Sequence, residues 1–94
     1  MDKELIKFLN KLTIQKEDIQ GLVDICPGLD IIDAQRAKNN VKLLVDAGFP
    51  LADVSSIIYV NPGFLCNDPE RTRQILLSVD GDIEEILKYD PYLL

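Results

Sequence analysis

Three prolines, Pro27, Pro62 and Pro91, occupy the same point of a recurring pattern, and that recurrence narrows the architectures open to this chain. Nine residues before each proline stands Asp18, Asp53 or Asp82, and eight before stands Ile19, Val54 or Ile83. Apolar pairs lie five and four before it: Leu22-Val23, Ile57-Ile58 and Ile86-Leu87. Ile25, Val60 and Tyr89 lie two before, and Leu29, Phe64 and Leu93 two after. Polar residues such as Gln20, Ser55, Ser56, Glu84 and Glu85 fill most of the gaps. Apolar side chains three and four residues apart share one side of a helix, and a proline just past the end stops it. The segment VSSIIYV is β-branched enough to pass for a strand. Its copies DIQGLVDI and DIEEILKY are better helices, so the shared pattern decides for helix.

The first two copies continue to agree downstream. Asp33 and Asp68 both stand six residues after their proline, followed by AQR and PER. An aspartate there caps a helix by accepting amide hydrogens of the first turn, and Pro69 suits the first helical position. Ala37, Val41 and Leu44 then match Thr72, Leu76 and Val79 at spacings that place each trio on one helix face. Each unit therefore reads as a short helix, a proline turn and a longer helix. Leu5, Leu9 and Leu12 add a helix in front, with Lys3, Lys7 and Lys11 elsewhere around it.

The expected fold is all-α, with helices at 2–12, 15–26, 34–46, 51–60, 69–79 and 83–89. Repeats of this kind stack because one unit cannot bury its apolar face alone, so a small solenoid-like stack is expected. The divisions are a capping helix over 1–14, repeats over 15–49 and 50–81, and a partial third repeat over 82–94. At 94 residues the chain is one domain.

The absences narrow the chemistry. There is no histidine, which removes the commonest general base, the Ser-His and Cys-His nucleophile pairs and most zinc ligand sets. Cys26 and Cys66 are forty residues apart with no CxxC spacing, and read as free thiols in small apolar sites. No catalytic constellation, cofactor motif or metal site is expected. Aspartates at 80 and 82 hint at a calcium loop, but its twelfth position holds Pro91 where a carboxylate is needed. The opening MDKELIKFLNKL has no apolar signal core, and no apolar run is long enough to span a bilayer, so a cytoplasmic protein is expected.

The stretches VKLLVDAGFPLADVSSIIYVNPGFL, DPERTRQILL and IEEILKYDPYLL resemble the helical repeat of the mitochondrial transcription termination factor family. The pattern shared is a leucine-bearing helix, GF, a short helix, a proline turn with an apolar residue after it, and a further leucine helix. It covers roughly residues 15–94. The resemblance implies a curved helical stack, which in that family binds nucleic acid on a basic concave surface. Against that pattern, fewer repeats and no transit peptide are expected here, and the 94 residues carry 16 acids against 10 bases, a net charge of −6.

That charge ranks a protein partner first, a basic one by charge complementarity, with the chain a monomer or a weak dimer through its C-terminal repeat. Acid concentrates late: residues 49–94 hold 3 bases and 8 acids. Asp80, Asp82, Glu84 and Glu85 gather at the start of the last helix, where Asp82 and Glu85 have the spacing of a capping box. Tyr59 occupies a repeat position that is Asp24 and Lys88 in the other copies, so its ring is expected at the surface. These four acids, Tyr59 and Tyr92 are the candidate partner contacts. The alternative is nucleic-acid binding through Arg36, Lys38, Lys42, Arg71 and Arg73. Residues two apart on a helix point about 200° apart, so only one of Arg36 and Lys38, and one of Arg71 and Arg73, can join a single stripe.

Overall fold

The computed structural model describes all residues 1–94. Helices α1 (Lys3–Lys11) and α2 (Lys16–Ile25) are followed by a 3₁₀ turn at Pro27–Asp30. Then come α3 (Ala34–Asp46), α4 (Leu51–Val60) and a second 3₁₀ turn at Pro62–Cys66. The chain ends with α5 (Pro69–Ser78), α6 (Ile83–Tyr89) and a third 3₁₀ turn at Pro91–Leu93. The fold is all-helical with six helices and no strand, and every helix boundary falls within one residue of its expected place.

The capping side chains act as their spacing requires. Asp33 accepts from the Arg36 N–H at 2.8 Å, and Asp68 from the Glu70 N–H at 2.9 Å. Asp82 accepts from the Glu84 and Glu85 amides at 3.1 and 3.4 Å. Asp2 caps two helices with one carboxylate: Oδ1 takes the Glu4 N–H at 2.9 Å and Oδ2 the Ala34 N–H at 3.1 Å. These amide hydrogens hold the Asp2 carboxyl below the usual carboxylate range.

The three proline turns share one backbone geometry. Cys26, Asn61 and Asp90, each just before its proline, have φ of −131°, −133° and −137° and ψ of 86°, 74° and 77°. Their N–H groups donate to the carbonyls of Leu22, Ile57 and Ile86 at 2.8, 2.7 and 2.9 Å, closing the preceding helix. Their own carbonyls accept from Leu29, Phe64 and Leu93 at 3.0, 3.2 and 3.2 Å. The apolar residue that donates this bond is fully buried in the first two turns, at Leu29 and Phe64, whereas Leu93 in the third is exposed.

A second motif occurs twice. After α1, Thr13 has φ 65° and the Ile14 N–H returns to the Leu9 carbonyl at 3.1 Å. After α3, Gly48 has φ 102° and the Phe49 N–H returns to the Leu44 carbonyl at 3.1 Å. This is the left-handed helix stop, and the residue after it dives into the core. Ile14 and Phe49 are both buried. Thr13 and Gly48 lie 35 residues apart, as do Pro27 and Pro62, so α1 ends as α3 does.

Nineteen buried apolar residues form one continuous core. Helix α3 lies at its centre, against α1, α4, α5 and the second turn, while the first and second turns touch each other. The radius of gyration, 12.4 Å, is that of a folded domain of this length, though the body is elongated at 36 × 22 × 21 Å. One recurring apolar position stays outside: Ile25, Val60 and Tyr89 are 67%, 46% and 85% exposed. At 100° per residue they lie roughly 120° from the centre of the buried stripe.

Three polar side chains are buried, and of these the sequence pattern marks Thr72 alone, through its match to Ala37. Asn40 is fully enclosed, with Nδ2 donating to the carbonyls of Arg36, Leu65 and Asn67 at 3.2, 3.2 and 2.8 Å. Its Oδ1 accepts from the Thr72 hydroxyl at 2.6 Å. Ser55 donates to the Leu12 carbonyl from within α4. All buried side-chain polar atoms are partnered, which is the condition for keeping them in a core.

Candidate functional site

The most enclosed of three concavities, and the smallest at about 200 Å³, is a groove between α4 and α6. It is lined by Phe49, Asp53, Ser56, Ile57 and Val60 on one side and by Glu84, Leu87, Lys88 and Pro91 on the other. The helices are positioned by their core residues: Val54 and Ile58 anchor α4, and Leu87 anchors α6, all at most 1% exposed. That leaves Asp53 and Val60 on one bank and Glu84 and Lys88 on the other.

Two carboxylates face each other in this groove. Asp53 beside it pushes the Glu84 carboxyl above its ordinary value, partial burial adds to the rise and Asp82 contributes, while Lys88 opposes it. Two negative groups at close range favour sharing a proton or attracting a cationic side chain. Asp82, Glu84, Glu85, Lys88 and Tyr89 also border an open depression along the outside of α6. Acid and an exposed aromatic ring therefore meet on one side of the molecule.

The candidate partner contacts divide into two groups. Asp82, Glu84 and Glu85 come together on α6; Asp80 is exposed in the segment before it, and Tyr92 is exposed on the third turn. Tyr59 does not join them. Its hydroxyl donates to Asp18 Oδ2 at 2.8 Å and accepts from the Gln15 N–H at 3.3 Å, tying the end of α4 to the start of α2. That carboxylate acceptor raises the Tyr59 phenol above its ordinary value. The capping box expected at Asp82 and Glu85 is present on its Asp82 half, which accepts the helix amides.

The candidate basic stripe is largely engaged within the molecule. Arg36 Nη1 donates to the Cys66 carbonyl at 3.3 Å, across to the second turn. Lys38 points the other way, its Nζ 6.0 Å from the centre of the Phe8 ring on α1. Lys42 pairs with Asp46 at 2.8 Å, and Arg73 holds Glu70 through two nitrogens. Arg73 and Gln74 hold the Glu70 carboxyl down at about 2. Lys42 and Arg73 do share a shallow groove between α3 and α5, but Asp46 and Glu70 line it too. Neither Lys38 nor Arg71 has an ion pair or a side-chain hydrogen bond, and the Phe8 ring is the contact Lys38 makes.

Comparison with models of known families, with curated proteins and with solved structures finds no match. No helix is long and apolar enough to cross a membrane. The groove residues Phe49, Ile57, Leu87 and Lys88 escape a contact reading of the sequence, because only packing reveals that α4 and α6 leave a gap. The doubled Asp-Ile and Asp-Val start of these helices, at Asp53 and Asp82, was the available signal.

Proposed function

We propose that this chain is a small helical-repeat interaction module that binds a protein partner through the α4–α6 groove and carries no catalysis of its own. The facing pair Asp53 and Glu84 above an apolar floor of Phe49, Ile57 and Leu87 carries this reading. Such a lining suits a segment that combines apolar side chains with lysine or arginine, the first for area and the second for charge. Val60, Tyr89 and Tyr92 add exposed apolar surface around it. The net charge of −6 favours encounter with basic partners.

The shared geometry of the three turns and the elongated body support a solenoid-like stack, the fold implied by the termination-factor resemblance. The family's nucleic-acid role has less support, because Arg36, Lys38, Lys42 and Arg73 are engaged internally.

Selection from a random peptide display library tests the proposal. Enriched peptides are expected to mix Lys or Arg with apolar residues, and to lose binding to a Val60→Asp, Glu84→Lys variant. Enrichment indifferent to those substitutions overturns the groove assignment. Amide shifts confined to Arg36, Lys38 and Arg71 on adding duplex DNA, fading with salt, replace it with the nucleic-acid reading.

A further inference from the structure

Forty residues apart in sequence, Cys26 and Cys66 meet across the contact between the first and second turns, with their sulfurs 3.8 Å apart. Both are free thiols and both are partly accessible. Closing to a disulfide needs an S–S distance of about 2.05 Å, so the sulfurs must approach by about 1.8 Å. Glycines flank the path. A Cβ on Gly28 would lie 3.6 Å from the Cys66 sulfur and 4.0 Å from the Cys26 sulfur. A Cβ on Gly63 would lie 3.9 Å from the Cys26 sulfur. Each turn thus has no side chain beside the thiols, where a methyl would stand in ordinary contact with a sulfur.

The neighbouring junction shows what this position does. Asn61 occupies the place before Pro62 that Cys26 occupies before Pro27, and its Nδ2 donates to the Pro91 carbonyl at 3.0 Å. In both cases the residue before the proline reaches forward to the next turn. Between the second and third turns that link is a hydrogen bond. Between the first and second it is a pair of thiols.

We propose that Cys26 and Cys66 are a dithiol site that a hydroperoxide oxidises to an intramolecular disulfide, stapling the first turn to the second. Burial, the adjacent Cys26 and its thiol hydrogen bond push the Cys66 thiol up to about 12, and the proposed sequence starts at Cys26. The Cys26 thiolate attacks one peroxide oxygen, the O–O bond breaks, and the departing hydroxide takes up the proton that Cys26 released. Cys66 sulfur then attacks the Cys26 sulfenic sulfur. The S–O bond breaks, and the leaving hydroxide takes the Cys66 proton as water. Two thiols lose two electrons and two protons, and one hydrogen peroxide becomes two waters.

The test is the dilute 94-residue chain titrated with hydrogen peroxide, then alkylated and mapped by mass spectrometry. The expected result is a Cys26–Cys66 cross-linked peptide, a mass loss of about 2 Da and a thiol count falling from two to zero. The thermal midpoint of the oxidised chain should rise, and return on reduction, because the bond closes a long loop in the unfolded state. Gly28→Ala should leave the reduced fold intact and slow the cross-link, since its methyl fills the space beside both sulfurs. Cys26→Ser should remove the cross-link and the reversible rise together. Accumulation of sulfinic acid without a cross-link, or disulfides only between chains, overturns the proposal. A Gly28→Ala chain that closes as fast as the parent overturns the part assigned to the glycines.

Discussion

At the scale of single residues, two positions carry more than their type suggests. Thr13 holds a left-handed backbone at φ 65°, which a β-branched residue adopts at a cost of about 1 kcal/mol, whereas Gly48 fills the equivalent place freely. Thr13→Gly is therefore expected to stabilise the fold by about 1 kcal/mol and raise the thermal midpoint by about 4–8 °C, as read by calorimetry. Asn40 is the opposite case. Asn40→Leu removes the donor to the Leu65 and Asn67 carbonyls and strands the Thr72 hydroxyl, and is expected to destabilise by about 3 kcal/mol in urea unfolding. Pairing it with Thr72→Val should cost less than the sum of the two changes, by roughly 1 kcal/mol, because both break one network. Neither role is legible in the sequence. Thr13 looks like any polar loop residue, and Asn40 looks like the solvated flank of α3, because nothing local says that the second turn will roof it over. The caps at Asp33, Asp68 and Asp82 are legible, since a cap is a contact between residues two or three apart.

Among the elements, α6 is the most conditional. It is seven residues long, Leu87 is its one fully buried side chain, and Glu84 faces Asp53 on α4. A carboxyl whose folded value is raised binds its proton more tightly in the folded state. Its contribution is complete below the unfolded value and is lost as pH rises through the folded one. Docking of α6 should thus loosen as pH climbs from about 4 toward neutrality. Hydrogen exchange at Leu87 and Lys88 is the measurement, and Glu84→Gln should flatten the dependence. Asp82 works with Asp53, and Lys88 against both, so Lys88→Gln should steepen it. Glu70 on α5 has the reverse sign: its folded value, about 2, lies below the ordinary 4.5. Its contribution is present above the unfolded value and disappears as pH falls toward 2, which a carboxyl NMR titration reads directly. The helices themselves were readable because each copy of the pattern corrected the others, most clearly where DIQGLVDI overruled the strand-like VSSIIYV. The groove was not, since the facing of Asp53 and Glu84 depends on how α6 settles against α4.

For the molecule as a whole, the three turns are linked in series by Cys26 with Cys66 and by Asn61 with Pro91. Breaking the second link should therefore act locally. Asn61→Ala is expected to cost about 1 kcal/mol and to speed amide exchange in α6 while leaving α1 to α3 protected. An equal loss of protection along the whole chain would mean that the body opens only as one unit. The Asn40–Thr72 hydrogen bond has a different bearing, on the order of the segments. Asn40 lies thirteen residues after Pro27, and the matching residue after Pro62 is Ile75. Thr72 lies ten after Pro62, and its counterpart is Ala37. A tandem of the first segment alone would face each asparagine with an alanine, and a tandem of the second would bury hydroxyls with no acceptor. Only the native succession satisfies both groups, so the 35-residue segments are not interchangeable bricks but a sentence whose word order is enforced by one buried bond. Lengthening the protein by duplication requires rewriting that pair at every new seam.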